Sequence, residues 1–289
     1  ATGDMDWLQK AYDIIGRSLE ADFVVVYNPQ TGLFRGESSF IDWREQSYPV
    51  WAQPADIYMS ECLGTNAAYY GVLKVMEDMA TILGKKMDVK KYGQKAEALK
   101  KAINDNFWVE EDGYYASYLY GRQNLTRTQQ SETLGESFCV LFGIADEERA
   151  AKVISSMPVG EFGPPIFSPQ IVSQPDYHNN GVWPYVTSFW GKAAAKVGNE
   201  TALMHALACN VRTASIYATN YENYSFNTGN PYTTQINSPN MLWGLSGFMG
   251  LFHRTFFGLE FTKEGLALKP FVPTVLAGTR KLEAFPYRG

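Results

Sequence analysis

Residues 61–107 read ECLGTNAAYYGVLKVMEDMATILGKKMDVKKYGQKAEALKKAINDNF. Two helical patterns lie in this stretch, and they differ in kind. The first, residues 61–83, carries Leu63, Ala67, Tyr70, Leu73, Met76 and Ile82 along one side. Recurrence at three and four residues puts such positions on one helical face. Gly84–Lys86 then breaks the pattern, since glycine is costly inside a helix and common just past its end. In residues 89–107, Lys90, Lys91, Lys95, Glu97, Lys100 and Lys101 form a polar face that must meet water. The stretch predicts an inner apolar helix followed by an outer charged one.

The same alternation extends in both directions. Upstream, residues 7–24 hold Leu8, Ala11, Tyr12, Ile15 and Leu19 at helical spacing. Downstream, residues 131–142 are apolar and predicted inward. Residues 146–156 are charged and predicted outward, with Asp146 as N-cap ahead of Glu147 and Glu148. Residues 183–197 are again apolar, with Pro184 tolerated in the first turn. Residues 200–217 supply their partner, and residues 240–257 a further apolar helix. This makes about eight helices by the periodicity test. The pattern predicts an all-α fold, an (α/α)6 toroid of helical hairpins, over residues 1–257. A closed ring of six hairpins needs more helices than these, so the expected ring is incomplete or begins before Ala1.

Two stretches read as strand. Residues 113–120 suggest a hairpin within a loop. From Gly258 the pattern changes to alternation at 259–261, 265–270 and 278–282, which predicts the first strands of a C-terminal β-domain over residues 258–289. No closing element follows that alternation, and no signal peptide precedes the amphipathic segment after Ala1. The expectation is a mature or trimmed chain.

Composition narrows the function. The 289 residues carry a net charge of -5 and no Lys/Arg-rich run, so a nucleic-acid partner is not expected. No stretch reaches the ~20 apolar residues of a membrane span. Charged residues are 19%, below the roughly 25% of an average domain, while aromatic residues reach 15%. Cys62, Cys139 and Cys209 lie apart in apolar stretches and read as small buried hydrophobes, not as a disulfide framework or a zinc site. Neither a phosphate-binding loop nor a dinucleotide fingerprint, a serine nucleophile elbow or a zinc motif is present. The expectation is no cofactor and no metal.

Three clusters could carry chemistry. Residues 34–51, FRGESSFIDWREQSYPVW, crowd aromatics, arginines and the acids Glu37, Asp42 and Glu45 into an aperiodic loop. Aromatic faces suit sugar rings and carboxylates suit hydroxyls; a buried loop in which Arg44 pairs with Glu37 or Glu45 explains the composition equally well. Residues 174–190, QPDYHNNGVWPYVTSFW, place Asp176, His178, Asn179 and Asn180 before an Asn-Gly turn. His178 reads as a loop histidine bonded to backbone, because His205 and His253 lack ligand spacing. Residues 217–229, YATNYENYSFNTG, put Glu222 between Tyr221, Asn223 and Tyr224, either as a tuned base or as a helix-end carboxylate in solvent. Glu132 and Glu136 are spaced i, i+4 on an otherwise apolar helix and read as structural.

Taken in order, GESSFIDWREQ, QPDYHNNGVWPYV, NYENYSFNTGNP and MLWGLSGFMG resemble the six-hairpin glycosidases, above all glycoside hydrolase family 63 and more distantly the family 37 trehalases. Those enzymes carry a Glu-Ser-Gly-Trp-Asp segment, a Gln-x-Asp-x-Pro-Asn-Gly-x-Trp segment, a Glu-x-Tyr segment and a Gly-Trp-Ser helix start. Here Glu37-Ser38-Ser39-Phe40-Ile41-Asp42 matches the first with one extra residue. Gln174–Trp183 matches the second, with His178-Asn179-Asn180-Gly181 in place of Pro-Asn-Gly. Glu222-Asn223-Tyr224 matches the third, and Trp243-Gly244-Leu245-Ser246 more loosely the fourth. The resemblance spans residues 34–257. Bacterial rhamnosidases share the same architecture.

The resemblance implies an inverting glycoside hydrolase with Asp42 as general acid and Glu222 as general base, acting on an α-linked oligosaccharide such as a glucoside or mannoside. It implies sugar-stacking walls from Trp43, Tyr48, Trp51, Trp183 and Trp243, and hydroxyl contacts from Arg44, Glu45, Asn180 and Tyr224. A monomer or weak oligomer in the periplasm or outside the cell is the matching expectation. Two other readings stand beside it: a polysaccharide lyase using Tyr177 or His178 as base, and a sugar-binding protein without catalysis.

Overall fold

The computed structural model describes residues 3–38, 41, 47–262 and 264–286. Nine α-helices occur among them. They are α1 (Met5–Val25), α2 (Pro54–Met59), α3 (Leu63–Ile82), α4 (Lys86–Phe107), α5 (Thr133–Phe142), α6 (Glu147–Ser156), α7 (Pro184–Lys196), α8 (Glu200–Tyr217) and α9 (Leu242–Leu251). The eight predicted helices are all present within a few residues. The short α2 carries too few residues for a period to show.

Local chemistry sets the boundaries. Asp4 caps α1 by accepting the Trp7 N–H at 2.8 Å, and Asp146 caps α6 through Arg149 N–H at 2.8 Å. Asn199 does the same for α8 through Ala202 N–H at 2.9 Å. A side-chain oxygen thereby satisfies one of the orphan donors at each helix start. At the other end of α5, Gly143 adopts φ +78°, the left-handed turn that ends helices and suits glycine. The predicted last helix is divided: α9 stops at Leu251, and Phe252–Phe256 continue as a π-turn closed by Phe257 N–H to the Phe252 carbonyl at 3.0 Å.

The helices pack in hairpins. α3 lies against α1, α4 and α5; α5 lies against α3, α6 and α7; α7 lies against α5, α8 and α9. The inner series α3, α5, α7 and α9 thus runs side by side, and α4, α6 and α8 lie outside it. A single large core fills the space between the layers, with Leu63, Leu73, Met76, Ile103, Phe107, Cys139 and Leu203 essentially without exposure. Cys62, Cys139 and Cys209 are buried free thiols, as their apolar neighbours predicted. The fold is the predicted all-α toroid type.

After the π-turn, Leu259–Phe261 and Leu266–Leu268 pair antiparallel, in keeping with the predicted strands. The third stretch, 278–282, is not a strand. It is largely exposed and no neighbouring strand takes its backbone bonds, so alternation alone does not order it. Among the described residues, no helix is long and apolar enough to cross a membrane.

Candidate active site

Each of α3, α5 and α7 is preceded by a two-residue strand: Glu61–Cys62, Ser131–Glu132 and Gly181–Val182. Such short pieces have no sequence period, and residues 61–62 and 131–132 were expected to be helical. They form one hydrogen-bonded belt along the N-terminal ends of the inner helices. Gly36 bridges Glu61, and Glu61–Cys62 pair with Tyr118–Leu119. Ala116 bridges Ser131, and Ser131–Glu132 pair with Phe167–Ser168. Ile166 N–H donates to the Gly181 carbonyl at 2.9 Å, and Gly181–Val182 pair with Tyr224–Ser225. Met241 N–H, at the start of α9, donates to the Asn220 carbonyl at 2.8 Å. Four segments far apart in sequence are thereby brought to one rim.

Of the named residues, Asp42, Trp43, Arg44 and Glu45 lie outside the described residues. Their described neighbours are firmly held. Ile41 is buried in a cluster with Leu134, Ile166, Phe167, Tyr177, Trp183 and Val186. Ser47 Oγ and His178 Nδ1 are 2.7 Å apart, both buried. Tyr48 is buried, its ring 5.4 Å from that of Tyr118; its hydroxyl accepts the Ser38 N–H at 3.3 Å and meets the Ile41 carbonyl at 3.5 Å. Burial pushes the Tyr48 phenol well above its ordinary value, so it stays neutral. Trp51 is 55% exposed beside Tyr120.

The second segment is cross-braced to the third. Asn180 sits at φ +50° and its side chain donates to Asp176 Oδ2 at 2.8 Å. Ser225 Oγ donates to the same oxygen at 2.9 Å, and Gln235 N–H to the Asp176 carbonyl at 2.8 Å. Phe226 N–H reaches the Asn180 carbonyl at 2.7 Å. Asp176 therefore ties three stretches of the rim together, a role its place in the sequence did not signal. Asn179 serves its own loop, holding Ile171 and Gln174.

Glu222 is half-buried on a braced turn. Its N–H donates to the Ser238 carbonyl at 3.0 Å. On either side, Tyr221 N–H meets the Tyr224 hydroxyl at 3.2 Å, and Asn223 and Asn237 exchange side-chain to backbone bonds at 3.3 and 2.8 Å. Tyr224 is buried, with its ring 5.8 Å from Tyr217, so it supports the turn from behind. Trp183 is 2% exposed and donates its indole N–H to the Tyr177 carbonyl at 3.0 Å. It stands edge-on to the half-buried Trp243 at 5.3 Å, and Tyr185 flanks Trp243 at 4.7 Å.

Beneath the rim lie three buried carboxyls. Glu61 accepts Asn28 Nδ2 at 2.7 Å and Thr31 Oγ1 at 2.9 Å. Glu132 accepts Ser38 Oγ at 3.0 Å, and Glu136 the Tyr115 N–H at 2.8 Å. Burial raises all three, Glu132 to about 7 and Glu136 to about 8, against the donors that favour ionisation. The structural reading of Glu132 and Glu136 fits these contacts. Burial pushes His178 the other way, to about 3, so its ring is neutral at ordinary pH. The expected backbone bond of His178 is replaced, at Nδ1, by the Ser47 hydroxyl. Among the described residues, no group of three or more His, Cys, Asp or Glu side chains could hold a metal ion.

Residues 1–159, more than half of the chain, match the model of the bacterial alpha-L-rhamnosidase six-hairpin glycosidase domain. No curated protein sequence matches. Among solved structures, a family 78 rhamnosidase of Bacillus sp. GL1 is similar at 20% identity and TM-score 0.64, over 90% of this chain and 25% of that one. A structure described as a sialidase is similar at 14% identity and TM-score 0.73, over 94% of this chain and 26% of that one. The neutral trehalase of Saccharomyces cerevisiae is similar at 12% identity and TM-score 0.54, over 68% and 38%. At these identities the likeness is one of fold. The chain spans about a quarter of the rhamnosidase and of the sialidase. Nothing in these matches points to family 63 in particular.

Proposed function

The chain belongs to the bacterial alpha-L-rhamnosidase six-hairpin glycosidase domain family, and on that premise we propose that it carries the catalytic rim of an inverting glycoside hydrolase. One observation supports this above others: the hydrogen-bonded belt that gathers the four sequence segments at the N-terminal ends of the inner helices. Loops on a rigid scaffold are where chemistry is usually placed.

Asp42 acts as general acid and Glu222 as general base. The leaving sugar oxygen needs a proton as its bond breaks, so one carboxyl holds a proton until then. The other is ionised and takes a proton from water attacking the opposite face of the ring. Inversion requires the carboxyls to stand about 6.5–9.5 Å apart to admit that water. Trp243 and Trp51 offer ring faces to the sugar, with Trp43 beside Asp42 in sequence. Trp183, Tyr48 and Tyr224 are buried and support those faces. Asn180, Arg44 and Glu45 meet hydroxyls.

The substrate is an α-linked oligosaccharide, and the family makes an α-L-rhamnoside the first to try. A protein degrading such glycans works in the periplasm or outside the cell. The lyase reading loses support from the site: Tyr177 and His178 are both buried, and a histidine near pKa 3 is a weak base.

The test is sugar release from defined α-linked disaccharides and aryl glycosides, with the product anomer followed by NMR. Asp42→Asn and Glu222→Gln should each lower kcat by about 10²–10⁴. Retention of anomeric configuration would remove the inverting mechanism, and binding without hydrolysis across the panel would leave a sugar-binding protein.

A further inference from the structure

Asn180 is engaged on three sides and open on one. Its N–H donates to Gln170 Oε1, its carbonyl accepts the Phe226 N–H at 2.7 Å, and its side-chain nitrogen donates to Asp176 Oδ2 at 2.8 Å. Among the described residues no donor meets Asn180 Oδ1, and the oxygen is not enclosed, so it faces solvent. The bonds from Ser225 to Asp176 and from Phe226 to Asn180 tie this pair to the strand that follows Glu222, which brings the open oxygen to the same rim.

Asp176 fixes which end of the amide is presented. A carboxylate only accepts hydrogen bonds, so the amide nitrogen is the end that meets it. Ser225 Oγ donates to the same oxygen at 2.9 Å, so Asp176 Oδ2 is the acceptor in both bonds. An unrestrained asparagine can turn over and offer either its N–H groups or its oxygen. Here a turn would set two oxygens face to face, Asn180 Oδ1 against Asp176 Oδ2. The left-handed backbone at φ +50° accounts for asparagine at 180, but not for an acid at 176. The frame around the pair is stiff. Gln235 N–H donates to the Asp176 carbonyl at 2.8 Å, and a Cβ on Gly181 would collide with the Tyr177 carbonyl.

We propose that Asp176 is a positioning residue: it locks the Asn180 amide so that Oδ1 is presented to the substrate, and the site therefore selects a sugar that donates a hydroxyl proton at that position. An ether, an ester or a fluorine there is rejected, since none can donate. This rests on the reading of Asn180 as a hydroxyl contact. Asp176 itself does not touch the sugar. It also braces the loops through Ser225 and Gln235, and the test has to separate that brace from the lock.

L-Rhamnose and its 2-, 3- and 4-deoxyfluoro analogues are the probes, because fluorine replaces a hydroxyl in the ring but cannot donate. Their binding, read by calorimetry, needs no turnover. In the wild-type protein, fluorination at the position that meets Asn180 should weaken binding about tenfold, the worth of one hydrogen bond. In Asp176→Asn and Asp176→Ala the amide is free to turn its N–H toward fluorine. That penalty should then shrink to about threefold or less, while those at the other two positions stay within about twofold of wild type. Asp176→Asn keeps the shape of the site should the alanine variant fail to fold. Ser225→Ala removes the other donor on Asp176 Oδ2 and should leave all three penalties at their wild-type values, although it weakens the brace. Penalties unchanged in both Asp176 variants overturn the lock. Penalties that all fall together show a brace alone and overturn it as well. Wild-type protein that hydrolyses α-L-rhamnosides yet binds all four sugars equally overturns this proposal and leaves the glycosidase reading standing. Protein that binds none of the four and hydrolyses no α-L-rhamnoside removes the rhamnoside and this contact to it together.

Discussion

The two ends of the inner helices are built differently. At their C-terminal ends the connections to the outer helices are short: residues 83–85, 143–146 and 197–199. Their closing devices are mostly local: Gly143 turns left-handed, and Asp146 and Asn199 cap the helices that follow. Two lysines from neighbouring helices add bonds, Lys100 to the Gly143 carbonyl at 2.6 Å and Lys196 to the Leu141 carbonyl at 2.8 Å. At their N-terminal ends the connections are long: residues 108–132, 157–183 and 218–241. There the bonds join residues distant in sequence, and the buried polar groups collect. Short links spend little chain entropy and leave nothing to specialise. Long links need a network to hold them, and that network can present chemistry. Effects on catalysis should therefore be confined to the long-loop end, whereas effects on stability occur at both.

The largest expected effect tests that confinement at the long-loop rim. Glu222→Gln should lower kcat by about 10²–10⁴ with little change in melting temperature, because the half-buried carboxyl tops a turn braced by backbone bonds. Steady-state kinetics beside calorimetry reads both. A large fall in stability with modest loss of kcat would mean that this rim is structural.

Next comes a pH effect peculiar to the same end. Burial holds Glu132 at about 7 and Glu136 at about 8 when folded, against an ordinary value of 4.5. Between 4.5 and those values the unfolded chain has lost protons that the fold still binds. Stability is then fully present below pH 4.5 as far as these groups go. It declines as pH rises and the loss is complete above about 8. The decline should amount to a few kcal/mol. Glu136→Gln keeps an acceptor for Tyr115 N–H and should flatten the decline in urea titrations at pH 5 to 9. An unchanged slope would place the titration elsewhere.

Gly64→Ala should cost about 1–3 kcal/mol, since its new methyl would press on the buried Glu132 carboxyl and on the Ser38 hydroxyl bonded to it. The same change at Gly84, beside a short link, should cost less: no atom lies within 4 Å of its Cβ, although φ +72° leaves some strain. Chemical denaturation of the pair compares the two ends directly. Equal losses would show that the crowding around Glu132 relaxes freely.

What could be read from the sequence divides along the same line. The short-link end is local, and local signals found it: Gly84, Asp146 before Glu147-Glu148, and the lysine face of α4. Helical period found α3 through α9 to within a few residues. At the other end the two-residue strands before α3 and α5 carry no period, so Glu61 and Glu132 read as helical residues. Ser38 with Glu132, and Ser47 with His178, meet across 94 and 131 positions, and no spacing rule reaches that far. The order of the four segments was legible because residue types survive in a motif. Their convergence was not, because it depends on a belt of single backbone bonds. The π-turn at Phe252–Phe256 escaped for the opposite reason: its residues fit an α-helical pattern, and only the closing bond differs.

The smallest effect belongs to the short-link end. Asp146→Ala removes the acceptor of the Arg149 N–H at the start of α6. A lost N-cap of this kind costs about 1 kcal/mol. Asp146 lies outside the belt, in a link between α5 and α6, so kcat and KM on any glycoside that the protein cleaves should stay at wild-type values while the melting temperature falls by a few degrees. A change in kcat would mean that the ends of α5 communicate, and the confinement of catalytic effects to the long-loop end would have to be given up.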